Sequence, residues 1–191
     1  MSKQEFFSVQ HQMTANIEPL PTEFEIPTGQ IFESEIPKPF IVAGEFSQLD
    51  QLNDAARVEL KNSDFKHVVQ LLDTQNSKLN LLLTFMLSQQ DESQYRHSTY
   101  SFGASQFSYY SAVHLAVKTK VRVKLFLEHP AAAIYCYGEV AEVAEASETE
   151  QGWDTTIQYS QLRDEDEDLL IRSALYQQQK LLRQRSLNRD K

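Results

Sequence analysis

The sequence predicts an α+β fold: an antiparallel sheet of short strands, a helical segment near its start and a helix at its end. Three observations carry that expectation. Residues 117–127 alternate, with apolar side chains at odd positions apart from Thr119 and with Lys118, Lys120, Arg122 and Lys124 at even ones. A period of two marks a strand with one buried face. Between 64 and 90, apolar residues at 65, 68, 72, 79, 82 and 86 step by three and four, the spacing of one helical stripe. Residues 163–185 open on consecutive carboxylates and close on Lys180, Arg183 and Arg185, the polarity that complements a helix dipole.

Taken in chain order, residues 6–17 read as a first strand, with loose alternation of β-forming side chains. Residues 19–39 hold five of the six prolines, which predicts an extended, irregular segment. Its apolar members Phe24, Ile26, Ile31, Phe32, Ile36 and Phe40 suggest that it lies against the body of the protein. A modest helix is expected over 47–61 and a stronger one over 64–90. Gln75 interrupts the apolar seam of the second helix formed by Phe65, Val68, Leu72, Leu79, Leu82 and Met86. Further apolar residues at 69, 71, 81, 83, 85 and 87 widen its sticky surface. That width predicts burial against two neighbours, the sheet and a second subunit, with the polar seam position fixing register. An intramolecular hairpin with 47–61 is the alternative.

Residues 91–94 are a polar break. Residues 95–110 resume as strand, with Gly103 at a bend or bulge. Strands follow at 117–127, 134–143 and 153–162, the last two joined by a polar connection over 145–152. The helix over 163–186 should begin with Asp164 as cap and Glu167 closing a capping box.

The 191 residues fit a single domain, 1–191, and 41% apolar side chains suffice for a core. A net charge of −9 argues against DNA or RNA as a general partner. No run of 18 apolar residues occurs, so no membrane insertion is expected. The start of the chain lacks a signal-peptide pattern. With Cys136 as the single cysteine, a cytoplasmic location is expected. The histidines at 11, 67, 97, 114 and 129 have no metal-ligand spacing, and no metal is expected. There is no nucleophile elbow, no zinc-protease motif and no phosphate-cradling glycine loop among only 5 glycines, so the chain does not read as an enzyme. Tyr109, Tyr110, Tyr135 and Tyr137 read as sheet-face packing, with base stacking as the alternative.

The closing order of strands and helix, with Leu115-Ala116-Val117 before the alternating strand, resembles the PilZ domain family. The resemblance covers roughly residues 4–17 and 96–185. It implies a six-stranded antiparallel β-barrel, a helical insertion at 47–90 after the first strand, and a C-terminal helix. It also implies a setting in bacterial cyclic di-GMP signalling, in control of motility, adhesion or biofilm. Members that bind the nucleotide carry R-x-x-x-R at the first strand and [DN]-x-S-x-x-G on the second. Here Gln4 and Ser8 stand at the two arginine positions, and Ser101, Gly103 and Gln106 at the Asp, Ser and Gly positions.

Each lost charge-assisted bond removes about 1.5–3 kcal/mol, so losing two charged partners turns micromolar affinity into millimolar. The resemblance therefore implies an interaction or adaptor module without a cofactor, self-associating and contacting protein partners. The alternative is a cyclic di-GMP receptor that uses other residues: Arg96 and His97 at the start of the second strand, with Lys118, Lys120, Arg122 and Lys124. The plainer expectation for that stripe is a solvated face neutralised across the sheet by Glu139, Glu142 or Glu145.

Overall fold

A computed structural model of the chain describes residues 8–61, 64–147 and 152–189. Strands β1 (Ser8–Gln10) and β2 (Thr14–Pro19) precede helices α1 (Gly29–Glu35), α2 (Lys38–Lys61) and α3 (Lys66–Ser88). A 3-10 turn at Ser93–Tyr95 leads into β3 (Arg96–Gly103), followed by β4 (Gln106–Ser111), β5 (Lys120–Leu127), β6 (Ala132–Glu145) and β7 (Trp153–Gln161). Helix α4 (Asp164–Arg189) ends the described chain. Neighbouring strands run β3-β2-β5-β6-β7-β4, and β4 pairs back onto β3. All pairs are antiparallel, so six strands close a barrel and β1 extends it on β3.

The alternation in β5 fixes which face points inward. Val121, Val123 and Leu125 are fully buried, and Lys120, Arg122, Lys124 and Phe126 are half-buried between them. Ile134, Cys136, Val140 and Ile157 join the core from β6 and β7, and burial pushes the Cys136 thiol pKa up. Gly138 sits at a register shift where β6 meets β7. A Cβ there would stand 2.5 Å from Ile157 Cγ2 and 2.8 Å from the Gln158 carbonyl, so only glycine lets these strands approach.

The expected first strand is two pieces laid along one partner. β1 pairs with residues 101–103 and β2 with 96–98 of β3. Thr99 bridges the break: its hydroxyl accepts from Met13 N at 3.1 Å and donates to His11 O at 3.2 Å. Gly103 ends β3, and the irregularity expected of it lies instead between Thr99 and Ser101.

The proline-rich segment is irregular over 20–28 and lies against the core, as expected, and departs from its expectation only from Gly29 onward. It folds into α1 and the start of α2, which begins at Lys38 rather than 47. Pro39 lies in the first turn of α2, where a missing N–H leaves no helical bond unmade. Phe32, Ile36, Phe40 and Ala43 are buried in the core, and that burial stabilises helix over extended chain. Tyr137 Oη donates to Glu35 Oε2 at 2.5 Å and Tyr135 Oη at 3.2 Å. Phe24 stacks on Tyr137 with ring centroids 5.6 Å apart.

Helix α4 begins one residue earlier than a cap at Asp164 would place it. Asp164 is already helical, and the Arg163 carbonyl accepts from Asp166 N and Glu167 N at 3.1 and 3.0 Å. The Arg163 guanidinium forks onto both carboxylate oxygens of buried Asp166 at 2.8 Å each. Burial pushes the Asp166 carboxyl up and the hydrogen bonds from Arg163 oppose it. Leu169, Leu170 and Ala174 seat the helix in the core.

Helix α3 carries two seams of heptad spacing side by side. The inward one, Val69, Asp73, Asn76, Asn80, Leu83 and Leu87, is buried or half-buried. It is polar at its middle, where Asn76 donates to Asp50 at 3.4 Å and Asp73 pairs with Arg57 at 3.7 Å. The outward one is Val68, Leu72, Gln75, Leu79, Leu82 and Met86. Val68, Leu72, Leu79 and Leu82 are 46, 50, 50 and 67% exposed. Met86 differs from the rest of the seam in packing partly against the core, while Phe65 is the N-cap of α3 and is exposed. The intramolecular hairpin with α2 exists, and it leaves the apolar seam uncovered.

Candidate functional site

Two groups of expected site residues come together, at opposite ends of β3. At one end Ser8 and Gly103 are Cα partners, and Ser101 pairs with Gln10. Gln106 opens β4 across from Gln158; Gln4 lies outside the described residues. The fold thus brings Ser8 beside residues 101–103, two of the stretches expected to carry the motifs, although about ninety residues separate them in the chain. None of Ser8, Ser101, Gly103 or Gln106 is charged, so these positions offer an anion hydroxyls, amides and backbone only.

At the other end Arg96, Asn16 and Lys124 form one row across β3, β2 and β5. Arg122 lies beside it, opposite Glu18. Seven residue steps along β3 put this row roughly 23 Å from Gly103. The row is a compact cationic face, but its charges are occupied. Arg96 Nη2 pairs with Asp91 Oδ2 at 2.8 Å and Arg122 Nη1 with Glu18 Oε2 at 2.9 Å. Lys124 Nζ contacts Glu92 Oε1 and the Gln90 carbonyl. The hydrogen bond from Lys124 holds the Glu92 carboxyl below the usual range, with burial opposing.

The neutralising partners are therefore Glu18 and Glu92 rather than the expected Glu139, Glu142 or Glu145. Glu139 is the Cα partner of Lys120, yet Lys120 Nζ donates to the Phe24 carbonyl at 2.6 Å. Lys118 is exposed in the turn before β5 with φ 71°. His97 does not join the row as a cation. It packs edge-on to Tyr109 at 4.9 Å, and burial lowers its pKa. Tyr109, Tyr135 and Tyr137 are buried in packing, and Tyr110 stacks on Tyr100 at 4.8 Å.

Sequence reasoning missed Asn16, Glu18, Asp91 and Glu92. The signal is present at one point: two carboxylates at 91 and 92 stand five and four residues before Arg96. Asn16 could not be found, because its role comes from strand pairing alone. Among the described residues no cluster of His, Cys, Asp and Glu could hold a metal ion. No helix among them is long and apolar enough to cross a membrane.

No protein-family model and no curated protein matches the chain by sequence. Solved structures do match. One is a Xanthomonas campestris protein described as a tetrameric PilZ domain self-assembled via a helical bundle. It superposes with a TM-score of 0.57 at 12% identity, over 94% of this chain and 92% of that one. The fold is that of a PilZ domain. A second PilZ-fold neighbour is the Bacillus subtilis inhibitor of motility MotI/DgrA, with a TM-score of 0.50 at 10% identity. It covers 94% of this chain and 53% of that one. The PilZ fold accounts for the six-stranded barrel and the terminal helix, and at these identities the likeness extends to the fold alone.

Proposed function

We propose that this chain is a non-enzymatic PilZ-like module of bacterial cyclic di-GMP signalling that acts in the cytoplasm through protein contacts, the first of them with a second copy of itself. The observation that carries this reading is the outward seam of α3. Val68, Leu72, Leu79 and Leu82 repeat at heptad spacing and are about half exposed or more. An apolar heptad seam is stabilised when another helix packs knobs into its holes, and a contiguous exposed apolar stripe marks an interaction surface. Gln75 at the centre supplies the polar position that sets register. The Xanthomonas neighbour, whose fold this chain shares, assembles through a helical bundle. The motility inhibitor supports a role in motility.

The motif positions support the loss of the usual nucleotide site. Ser8, Ser101, Gly103 and Gln106 stand together without a charge, and a phosphodiester needs charge-assisted partners to bind tightly. Calorimetric titration with cyclic di-GMP at low salt tests this half of the reading. No heat up to millimolar nucleotide is expected. Saturable micromolar binding would instead make the chain a receptor that uses non-standard residues, with Arg96→Ala locating the site.

A further inference from the structure

The cationic row on β3, β2 and β5 is held by the segment that directly follows α3. Asn16 is 3% exposed, and the hydrogen bonds of its side chain go to that segment. Nδ2 donates to Asp91 Oδ1 at 2.8 Å and to the Glu92 carbonyl at 3.3 Å, and Oδ1 accepts from Glu92 N at 2.8 Å. Arg96 on one flank takes Asp91 and Lys124 on the other takes Glu92. The side chains of Asp91 and Lys124 are only 15 and 14% exposed. Two consecutive carboxylates thus lie between two cations, over a buried amide, with Arg122 and Glu18 paired alongside.

We infer that this row is a site for a small diphosphate-like anion, and that Asp91 and Glu92 occupy it as intramolecular stand-ins. The charge pattern is the basis. Strands lie about 4.8 Å apart, so Arg96 and Lys124 flank Asn16 at a span their long side chains close from both sides. Two adjacent anionic groups fill that gap, and a diphosphate presents the same pair with more acceptor oxygens for an arginine fork. Because Asp91 and Glu92 follow directly on α3, an anion that displaces them frees the barrel-proximal end of that helix. Ligand occupancy would then be linked to the helix that carries the exposed seam. This inference concerns the row alone, and it stands or falls independently of self-association.

The test uses the full chain and inorganic pyrophosphate. Pyrophosphate is expected to speed amide hydrogen exchange over residues 85–92 by roughly tenfold, while sodium chloride at equal ionic strength has a much smaller effect. The variant Asp91→Asn with Glu92→Gln keeps hydrogen-bonding shape but removes the competing charge. It should bind pyrophosphate roughly tenfold more tightly than the parent by calorimetry, and adding Arg96→Ala and Lys124→Ala should remove the gain. An equal response to chloride would overturn the inference, as would a charge-neutral variant with no gain in affinity. Either result leaves the 90–92 segment as a structural clasp only.

Discussion

Ser8 faces Gly103 across the β1–β3 pairing. On the function proposed above, these two positions would each contribute to a nucleotide site, and neither carries a charge. Replacing Gln4 and Ser8 together by arginine should raise affinity for cyclic di-GMP by about tenfold or more, since each new guanidinium adds charge-assisted bonds. Calorimetry against the parent chain reads this directly. An unchanged isotherm would mean that the 101–106 side has lost its shape as well as its charges.

The fork from Arg163 to Asp166 has a second consequence, for stability. Asp166 is 2% exposed, and removing its partner leaves a buried carboxylate unpaired. Arg163→Ala should cost about 3–5 kcal/mol, seen as a large fall in the thermal midpoint. Adding Asp166→Ala should recover much of it. A fall of less than about 1 kcal/mol would mean that water replaces the guanidinium at the mouth of α4.

Glu35 anchors α1 through the Tyr135 and Tyr137 hydroxyls. Tyr137→Phe keeps the ring in place and deletes the shorter bond. The expected loss is about 1.5–3 kcal/mol, the range for a hydrogen bond to a charged group. Chemical denaturation measures it, and faster proteolysis within 20–36 should accompany it, because that segment is fastened to the barrel there.

The contact between Lys124 and Glu92 makes a sign prediction for pH. The Glu92 carboxyl is held below its ordinary value of 4.5 by the hydrogen bond from Lys124. A lowered folded-state pKa gives a contribution that is fully present above the unfolded value and lost as pH falls through the folded one. Hydrogen exchange over 88–92 should therefore stay slow from neutral pH down to about 5 and accelerate below 4.5 relative to the barrel strands. Glu92→Gln should be fast throughout.

Much of this architecture was legible in the sequence because it rests on local periodicity. Val121, Val123 and Leu125 announce the inner face of β5, and the residues 68, 72, 79 and 82 announce a seam on α3. In the proline-rich segment the irregular stretch 20–28 and the packing of its apolar residues are legible, but the helices from Gly29 are not, because Pro39 falls in a first turn and Phe32, Ile36 and Phe40 gain burial only in the folded chain. The Asp164 cap failed for a related reason. Arg163 finds Asp166 in the folded chain, and the helix starts around that pair. The partners of the cationic row were hidden more deeply. Asn16 and Lys124 are joined by strand pairing between distant segments, which no short-range pattern records. The two seams of α3 could be counted from the sequence, but which one faces α2 could not.

That last point bears on the central claim, that the outward seam is where copies of this chain meet. Sedimentation velocity on the full chain and on Leu79→Asp tests it most directly. Leu79 is half exposed, so the substitution should leave the barrel folded. The account predicts an oligomer for the parent and a monomer for the variant, with unchanged far-ultraviolet circular dichroism in both. A parent chain that sediments as a monomer at all concentrations, or an oligomer that survives Leu79→Asp, would contradict it.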